Sequence, residues 1–540
     1  MAGATTTLIG AVLAALGAPG AAQEPLTAID WLRRNPPQVA PAALPQGLAP
    51  TAVPTPFSTL PDRVEPPVTE GISAPEIVVT PLDATPVAFG LVPATVTGLP
   101  ATLWQNSRVV TLARLVRTVP VLQSQAMQSV LYTLLLAEAQ PPADRSGPLG
   151  DTELTLAMLD RLMDLGAVEP AEALARRAGP SRSPELFRRW FDATLLTGTE
   201  NAACATLAAS PHLAEDYAQR IYCSARRGDW PAAALMLDGA MALGEVHDPR
   251  AALLERFLHG DFDDSEDPDG LGGPLTPPIA VDPLDFRLYE AIGERLPTHS
   301  LPRAFAHADL RDVAGWKAQL EAAERLARTG ALGANRFLGI YTEREPAASG
   351  GVWDRVQAVQ RFETALATGS GAAVAKALRP AWDAMRAAGT EVTFATLFAG
   401  ELAVHPPDSV SAQDLAWRIR LLSDQYERAS REGPARSGPE AAFLAGIAQG
   451  VPTAGPSDPD LWKAIAAGFA EDAGLPRQLT ELHDKDALGE FILRAIALFG
   501  QGSDGNPEAL THALAAFRAI GLEDTARRAS LQLVLLEPRR

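Results

Sequence analysis

Cysteine is nearly absent from this chain. Only Cys204 and Cys223 occur in 540 residues, too few for a disulfide-dense scaffold and without the paired spacing of a zinc site. Aromatic residues are scarce too, at 6%. The 47% hydrophobic share comes mostly from alanine and leucine, which favours helix over sheet. Basic charge is short: 46 Lys and Arg face 65 Asp and Glu, for a formal net charge of -19. A phosphate backbone needs a basic face, so this balance argues against nucleic acid and disfavours docking on anionic lipid. Beyond the first residues no stretch reaches the roughly 18 uninterrupted apolar residues of a membrane span.

Signatures of chemistry are missing as well. No HExxH, GxSxG, P-loop or dinucleotide glycine fingerprint occurs, and each of those chemistries depends on its spacing. The eight histidines are scattered. His307 lies near Asp309, and His483 near Asp484 and Asp486, but no third ligand stands at a recognised metal spacing. The acidic run Asp261 to Gly270 supplies many oxygens yet lacks the order of an EF-hand loop. The expectation is therefore no catalytic residue, no metal and no cofactor.

What the chain does contain is a repeated helical hairpin. Leu213 to Gly244 reads as two amphipathic helices around Gly228, with Asp229 placed to cap the second and Ala233, Leu237 and Ala240 along one of its faces. A turn this short makes the two helices antiparallel. The turn glycines Gly166, Gly198 and Gly228 recur at about 30-residue intervals, a period that marks stacked hairpins. Each is followed five positions later by an alanine, Ala171, Ala203 and Ala233, and Gly521 with Ala526 repeats the relation. A small residue there lets the second helix approach the first. This pattern resembles the tetratricopeptide repeat, most clearly at Gly228-Asp229-Trp230 with Ala233 and Ala240. The bulky Ile221 and Tyr222 depart from it. The expected fold class is all-α, an α-solenoid of such hairpins.

Around that array the chain divides as follows. Residues 1–22 read as a secretory signal peptide, with an apolar Leu8 to Leu16 and small residues Gly20-Ala21-Ala22, though without a Lys or Arg ahead of them. Residues 23–103 form a Pro-rich arm, because prolines at this density prevent helix and leave an extended chain. Within it residues 26–32, LTAIDWL, are a short amphipathic patch of docking type. Glu76 to Pro93 alternates enough for one or two edge strands. An N-terminal helical lobe spans 104–260, an acidic, Gly- and Pro-rich linker 261–280, and a C-terminal helical lobe 281–540.

Two candidate sites follow. Cys204 and Cys223 fall on consecutive helices around Ser210-Pro211; in an oxidising compartment they are expected to bond, the other reading being two buried thiols. Leu301 to Arg355 is denser in aromatic and charged residues than the rest, and Phe305, Trp316, Phe337, Tyr341, Arg344 and Trp353 are its candidate binding residues. Core packing at a lobe junction is the competing reading.

Over nearly its whole length the chain also resembles a family of exported, Ala-rich helical proteins of alphaproteobacteria, through Leu26 to Leu32, Ala304 to Trp316 and Tyr341 to Arg355. Members are sometimes labelled antifreeze proteins, but the eleven-residue threonine period of an ice-binding helix is absent here. The expected function is a non-enzymatic scaffold or adaptor for protein partners in the cell envelope, periplasmic or secreted. The alternative is a glycan-acting or peptidoglycan-associated enzyme or its regulatory domain.

Overall fold

The computed structural model describes residues 89–121, 124–144, 150, 152–259 and 275–536. The signal peptide, the patch at 26–32, the arm up to residue 88, the acidic run Asp261 to Gly270 and the linker as far as residue 274 lie outside the described residues.

Among the described residues the protein is all-helical. No strand forms there: Phe89 and Val92 make only single bridges to Ala139 and Ala137. The segment from Phe89 nonetheless belongs to the folded body, since Val92, Leu103 and Trp104 are buried. After a one-turn helix at Ala94–Thr97 come α1 (Val109–Thr118), α2 (Gln125–Leu136), α3 (Thr152–Leu165), α4 (Val168–Ala178), α5 (Pro184–Thr197), α6 (Asn201–Ala209), α7 (Tyr217–Arg226), α8 (Trp230–Ala242) and α9 (Arg250–His259). Then follow α10 (Pro283–Ala291), a 3-10 segment at Arg303–Leu310, α11 (Trp316–Ala327), α12 (Ala334–Thr342), α13 (Val352–Ala367), α14 (Gly371–Ala388), α15 (Glu391–Val404) and α16 (Val410–Leu421). The chain continues with α17 (Tyr426–Glu432), α18 (Pro439–Gln449), α19 (Asp460–Phe469), α20 (Arg477–Asp484), α21 (Leu488–Ser503), α22 (Pro507–Ala519) and α23 (Glu523–Leu535).

Several of these helices start by one device. An oxygen-bearing residue accepts from a backbone N–H of the first turn, and a proline follows it: Ser183 before Pro184, Asp229 before Trp230-Pro231, Asp282 before Pro283 and Asn506 before Pro507. The side chain satisfies a donor the helix leaves orphaned, and proline has no N–H to lose there. The turns at Gly166, Gly198, Gly228 and Gly521 all take a positive φ, open to glycine at no steric cost. The alanine five residues on is buried in every case: Ala171, Ala203, Ala233 and Ala526.

Consecutive helices pack on one another along most of the chain, and the ends also meet. Helix α21 lies on α1 and α2, and α23 lies on α2. The Gly489 amide donates to the Leu103 carbonyl at 3.0 Å. A Cβ at Gly489 would stand 2.5 Å from the Trp104 ring, so only glycine admits this approach. Ser124 and the Ala126 amide both donate to the Gln532 side chain, at 2.8 and 3.0 Å. Gln125 donates to the Ala327 carbonyl at 3.0 Å. Helix α2 can serve as this meeting point because it is apolar almost all round, with Met127, Leu131, Tyr132, Leu134, Leu135 and Leu136 buried.

Helices on the two sides of the acidic run share a core. Phe286, Phe305 and Ala308 pack with Val168, Ala193 and Leu196, and α10 lies on both α5 and α9.

Candidate functional site: two clefts on helix α10

Helix α10 presents opposite charges to its two sides. Its Asp285 and Tyr289 line one cleft, of about 580 Å³, and its Arg287, Glu290 and Ala291 line another, of about 610 Å³. Leu284, Phe286 and Leu288 are buried and hold the helix in place.

The first cleft is acidic. Glu215, Asp216, Glu245, Asp248 and Asp285 line it, with Arg250 and His247. Arg250 opens α9 and is the knot of this side. It pairs with Asp216 at 2.9 Å, with Asp285 at 2.8 Å, and with Asp282. Burial pushes the Asp285 carboxyl up from its ordinary value, against the bonds from Arg250. Nearby on α5, desolvation and then the Asp282 carboxylate push Asp192 up to about 7, with Arg188, Arg189 and Arg250 opposing. A carboxyl cannot keep its charge easily where water is excluded and a like charge stands close.

The second cleft is basic. Arg226, Arg287, Arg295 and Arg311 line it with Tyr222, Trp230, Phe257 and Glu290. Behind them sits Glu200, fully buried. Arg287 bonds Glu200 at 2.9 Å, Arg226 approaches it at 3.3 Å, and the Tyr222 hydroxyl donates to it at 3.0 Å. Burial opposes the Glu200 charge, but Arg287 and the hydrogen bonds overcome it and hold the carboxyl below its usual range. Tyr222 is pushed up to about 12, by burial first and by Glu200 second. Arg287 also bonds Glu290, which Arg311 holds through both oxygens at 2.7 Å. Burial works against the Glu290 charge, and these arginines with Arg295 outweigh it. Arg295 pairs with Asp309 at 2.7 Å. Two buried polar atoms of this cleft, Arg287 Nε and Glu200 Oε2, have no hydrogen-bond partner among the described residues.

An aromatic wall completes this cleft. Phe257 lies 5.7 Å from Tyr222 and 5.7 Å from Trp230, ring centre to ring centre. Trp230 is 45% exposed, unusual for the side chain with the most apolar area to hide. It opens α8, a helix whose single charged residue is Asp238 and which leaves Leu235 73% exposed.

The disulfide lies in the same region. Cys204 on α6 and Cys223 on α7 are bonded, with Cα atoms 5.0 Å apart, and Glu200, Tyr222 and Arg226 flank them in sequence.

The sequence-predicted binding residues lie elsewhere and come together only in part. Trp316 meets Trp353 at 5.2 Å, and its Nε1 donates to the Ile340 carbonyl. Phe337 stacks on Tyr341 at 4.4 Å, and both are buried. The Tyr341 hydroxyl donates to Glu324 at 2.6 Å, and Arg355 clamps the same carboxylate at 2.7 and 2.8 Å. Phe305 instead joins Phe286, at 5.4 Å. Arg344 stands on the surface, paired with its neighbour Glu343. These aromatics fill core, and the buried triad of Tyr341, Glu324 and Arg355 is closed on itself. The residues of the basic cleft were not among the candidate binding residues; Trp230 and Tyr222 entered only through the repeat pattern, one in its turn and the other as a departure from it.

Among the described residues no group of three or more His, Cys, Asp or Glu is placed to hold a metal ion, and no helix is long and apolar enough to cross a membrane. No family model, curated protein or solved structure matches the chain.

Proposed function

We propose that this protein is an exported, non-enzymatic scaffold or adaptor whose stacked, tetratricopeptide-like hairpins hold a protein partner in the cell envelope. The observation that carries this reading is the basic cleft, with an exposed tryptophan at its mouth and an apolar helix leading away from it. Large exposed apolar groups rimmed by charge are what partner surfaces use. A bonded cysteine pair is in keeping with a periplasmic or secreted location, since thiols stay reduced in the cytosol. The test is a photo-crosslinking residue at Leu235, with chains that keep or lack residues 23–88, the part of the arm ahead of the buried Val92 and Leu103. An adduct with one protein in envelope fractions, unchanged by the deletion, supports an adaptor that binds through its helices. Loss of the adduct on deletion moves the binding to the arm, and no adduct in either chain contradicts the reading.

A second reading, a glycan-acting enzyme, has one observation in its favour: Asp192, a carboxyl held near 7 beside Asp282, the kind of group general acid catalysis needs. Hydrolysis of peptidoglycan fragments that is lost in Asp192→Asn would establish it; the adaptor reading expects no hydrolysis.

A further inference from the structure

We propose that the basic cleft binds an acidic peptide segment, a carboxylate followed or preceded by an aromatic residue. This rests on the adaptor reading and names the chemistry of its partner.

The charge count of the cleft points to an anion. Four guanidinium groups, of Arg226, Arg287, Arg295 and Arg311, face three carboxylates, of Glu200, Glu290 and Asp309. One positive charge is left over in a chain whose net charge is -19. The excess is available to a visitor. Among the described residues Arg226 commits only Nη2, to Asn201 and Glu200, and its side chain is 40% exposed. Its Nε and Nη1 are the donors it keeps for a ligand. An arginine fork with unused donors selects a planar carboxylate and can hold it with two parallel bonds.

The aromatic wall points to what accompanies the anion. Trp230 leans over Phe257 with half of its indole in water. A second aromatic ring laid on that face would bury the area now exposed and add an edge or offset ring contact. Trp230 also begins α8, and a chain seated on it can run along Leu235.

The occupant is a peptide rather than a polyanion for a reason of charge. One unmatched cation suits one or two carboxylates. A nucleic acid or polyphosphate needs several.

The experiment titrates the full chain with two labelled probes, read by fluorescence anisotropy. One is a short acidic peptide with a phenylalanine between two aspartates; the other carries asparagines instead. The acidic probe is expected to bind at least tenfold tighter, and more weakly as salt rises. Arg226→Gln and Trp230→Ala, which both change exposed side chains, are each expected to weaken it about fivefold or more. Arg344→Gln is expected to change nothing. Equal binding of the two probes, or affinity untouched by both cleft variants, overturns the proposal. Displacement of the probe by inorganic phosphate at low millimolar concentration overturns it in favour of a phosphate site. The crosslink at Leu235 separates the two readings. An adduct without selective peptide binding leaves the adaptor standing and rejects the acidic partner. Selective binding without an adduct supports the cleft and counts against the adaptor.

Discussion

The two clefts on α10 share a helix and nearly a size, yet their charges are built in opposite ways. In the acidic cleft one arginine, Arg250, sits among Asp216, Asp282 and Asp285, so the cation is surrounded and all its donors turn inward. In the basic cleft the arginines outnumber their partners, and the surplus faces solvent. Similar residue types thus give a fastening in one place and a receptor in the other. What decides is which sign is in excess, and whether the outnumbered group is buried.

That contrast can be broken first at Arg250. Arg250→Ala leaves Asp285 buried beside Asp282 without its cation, and removing one partner of a buried pair costs about 3–5 kcal/mol. Arg250 is itself 27% exposed, so about 3 kcal/mol is expected, read from urea unfolding. The same change at Arg226, 40% exposed, is expected to cost about 1 kcal/mol or less. Equal losses would mean that the clefts do not differ in kind.

The disulfide should show next. Cys204→Ser with Cys223→Ser removes a link between residues 19 apart, worth about 3 kcal/mol on chain-entropy grounds. The loss should fall on the basic side, with acidic-peptide binding weakened because α6 and α7 carry Glu200 and Arg226. Unchanged peptide affinity in that variant would detach the disulfide from the cleft. Thiol titration of the denatured, unreduced chain should find no free thiol.

A smaller effect belongs to Asp192. In the folded chain its carboxyl keeps its proton up to about pH 7; unfolded, it loses it near 4. The folded state therefore binds more protons between those values, and stability falls as pH rises from about 4 to 7. Asp192→Asn should remove that fall. It should match the parent at pH 4 and exceed it at pH 8. About three units at 1.36 kcal/mol each give about 4 kcal/mol as an upper bound, and because Asp192 keeps part of its surface in water about 2 kcal/mol is expected. A constant difference across pH would deny the charge its role.

The smallest change is expected at Arg344→Ala. Its side chain pairs with the exposed Glu343 beside it, and such pairs contribute less than about 0.5 kcal/mol; the Arg344 carbonyl, which accepts from Gln360, is kept in the variant. A larger loss would restore the loop after α12 as a site.

Much of the helical pairing was legible because it depends on residues close in sequence. Gly228, Asp229 and Ala233 set a turn, a cap and a packing face within six positions, and the structure uses each of them that way. The pattern marks no helix between Val404 and Leu461, where α16, α17 and α18 lie. Of these α17 has seven residues, too few turns to show a period, and α18 stands between Gly438 and Gly450. The meeting of the chain ends left no local trace. Trp104 with Gly489, and Ser124 with Gln532, are contacts between residues about 400 apart. The candidate site failed to show for a related reason. Aromatic density from Phe305 to Trp353 reads the same whether the rings line a surface or, like Phe337 and Tyr341, fill a core. The arginines of the basic cleft come from positions 226 to 311, and only the packing of α7, α8, α9 and α10 makes a group of them.

The shift in melting temperature on adding saturating acidic peptide tests the division of roles most directly, measured on the parent chain, Arg226→Gln and Arg250→Ala. The parent and Arg250→Ala should both rise by several degrees, the latter from a lower start, while Arg226→Gln should rise by clearly less, short by about 1 kcal/mol or more for a fivefold or greater loss of affinity. An equal rise in Arg226→Gln, or a rise abolished only by Arg250→Ala, would place the receptor on the other side of α10.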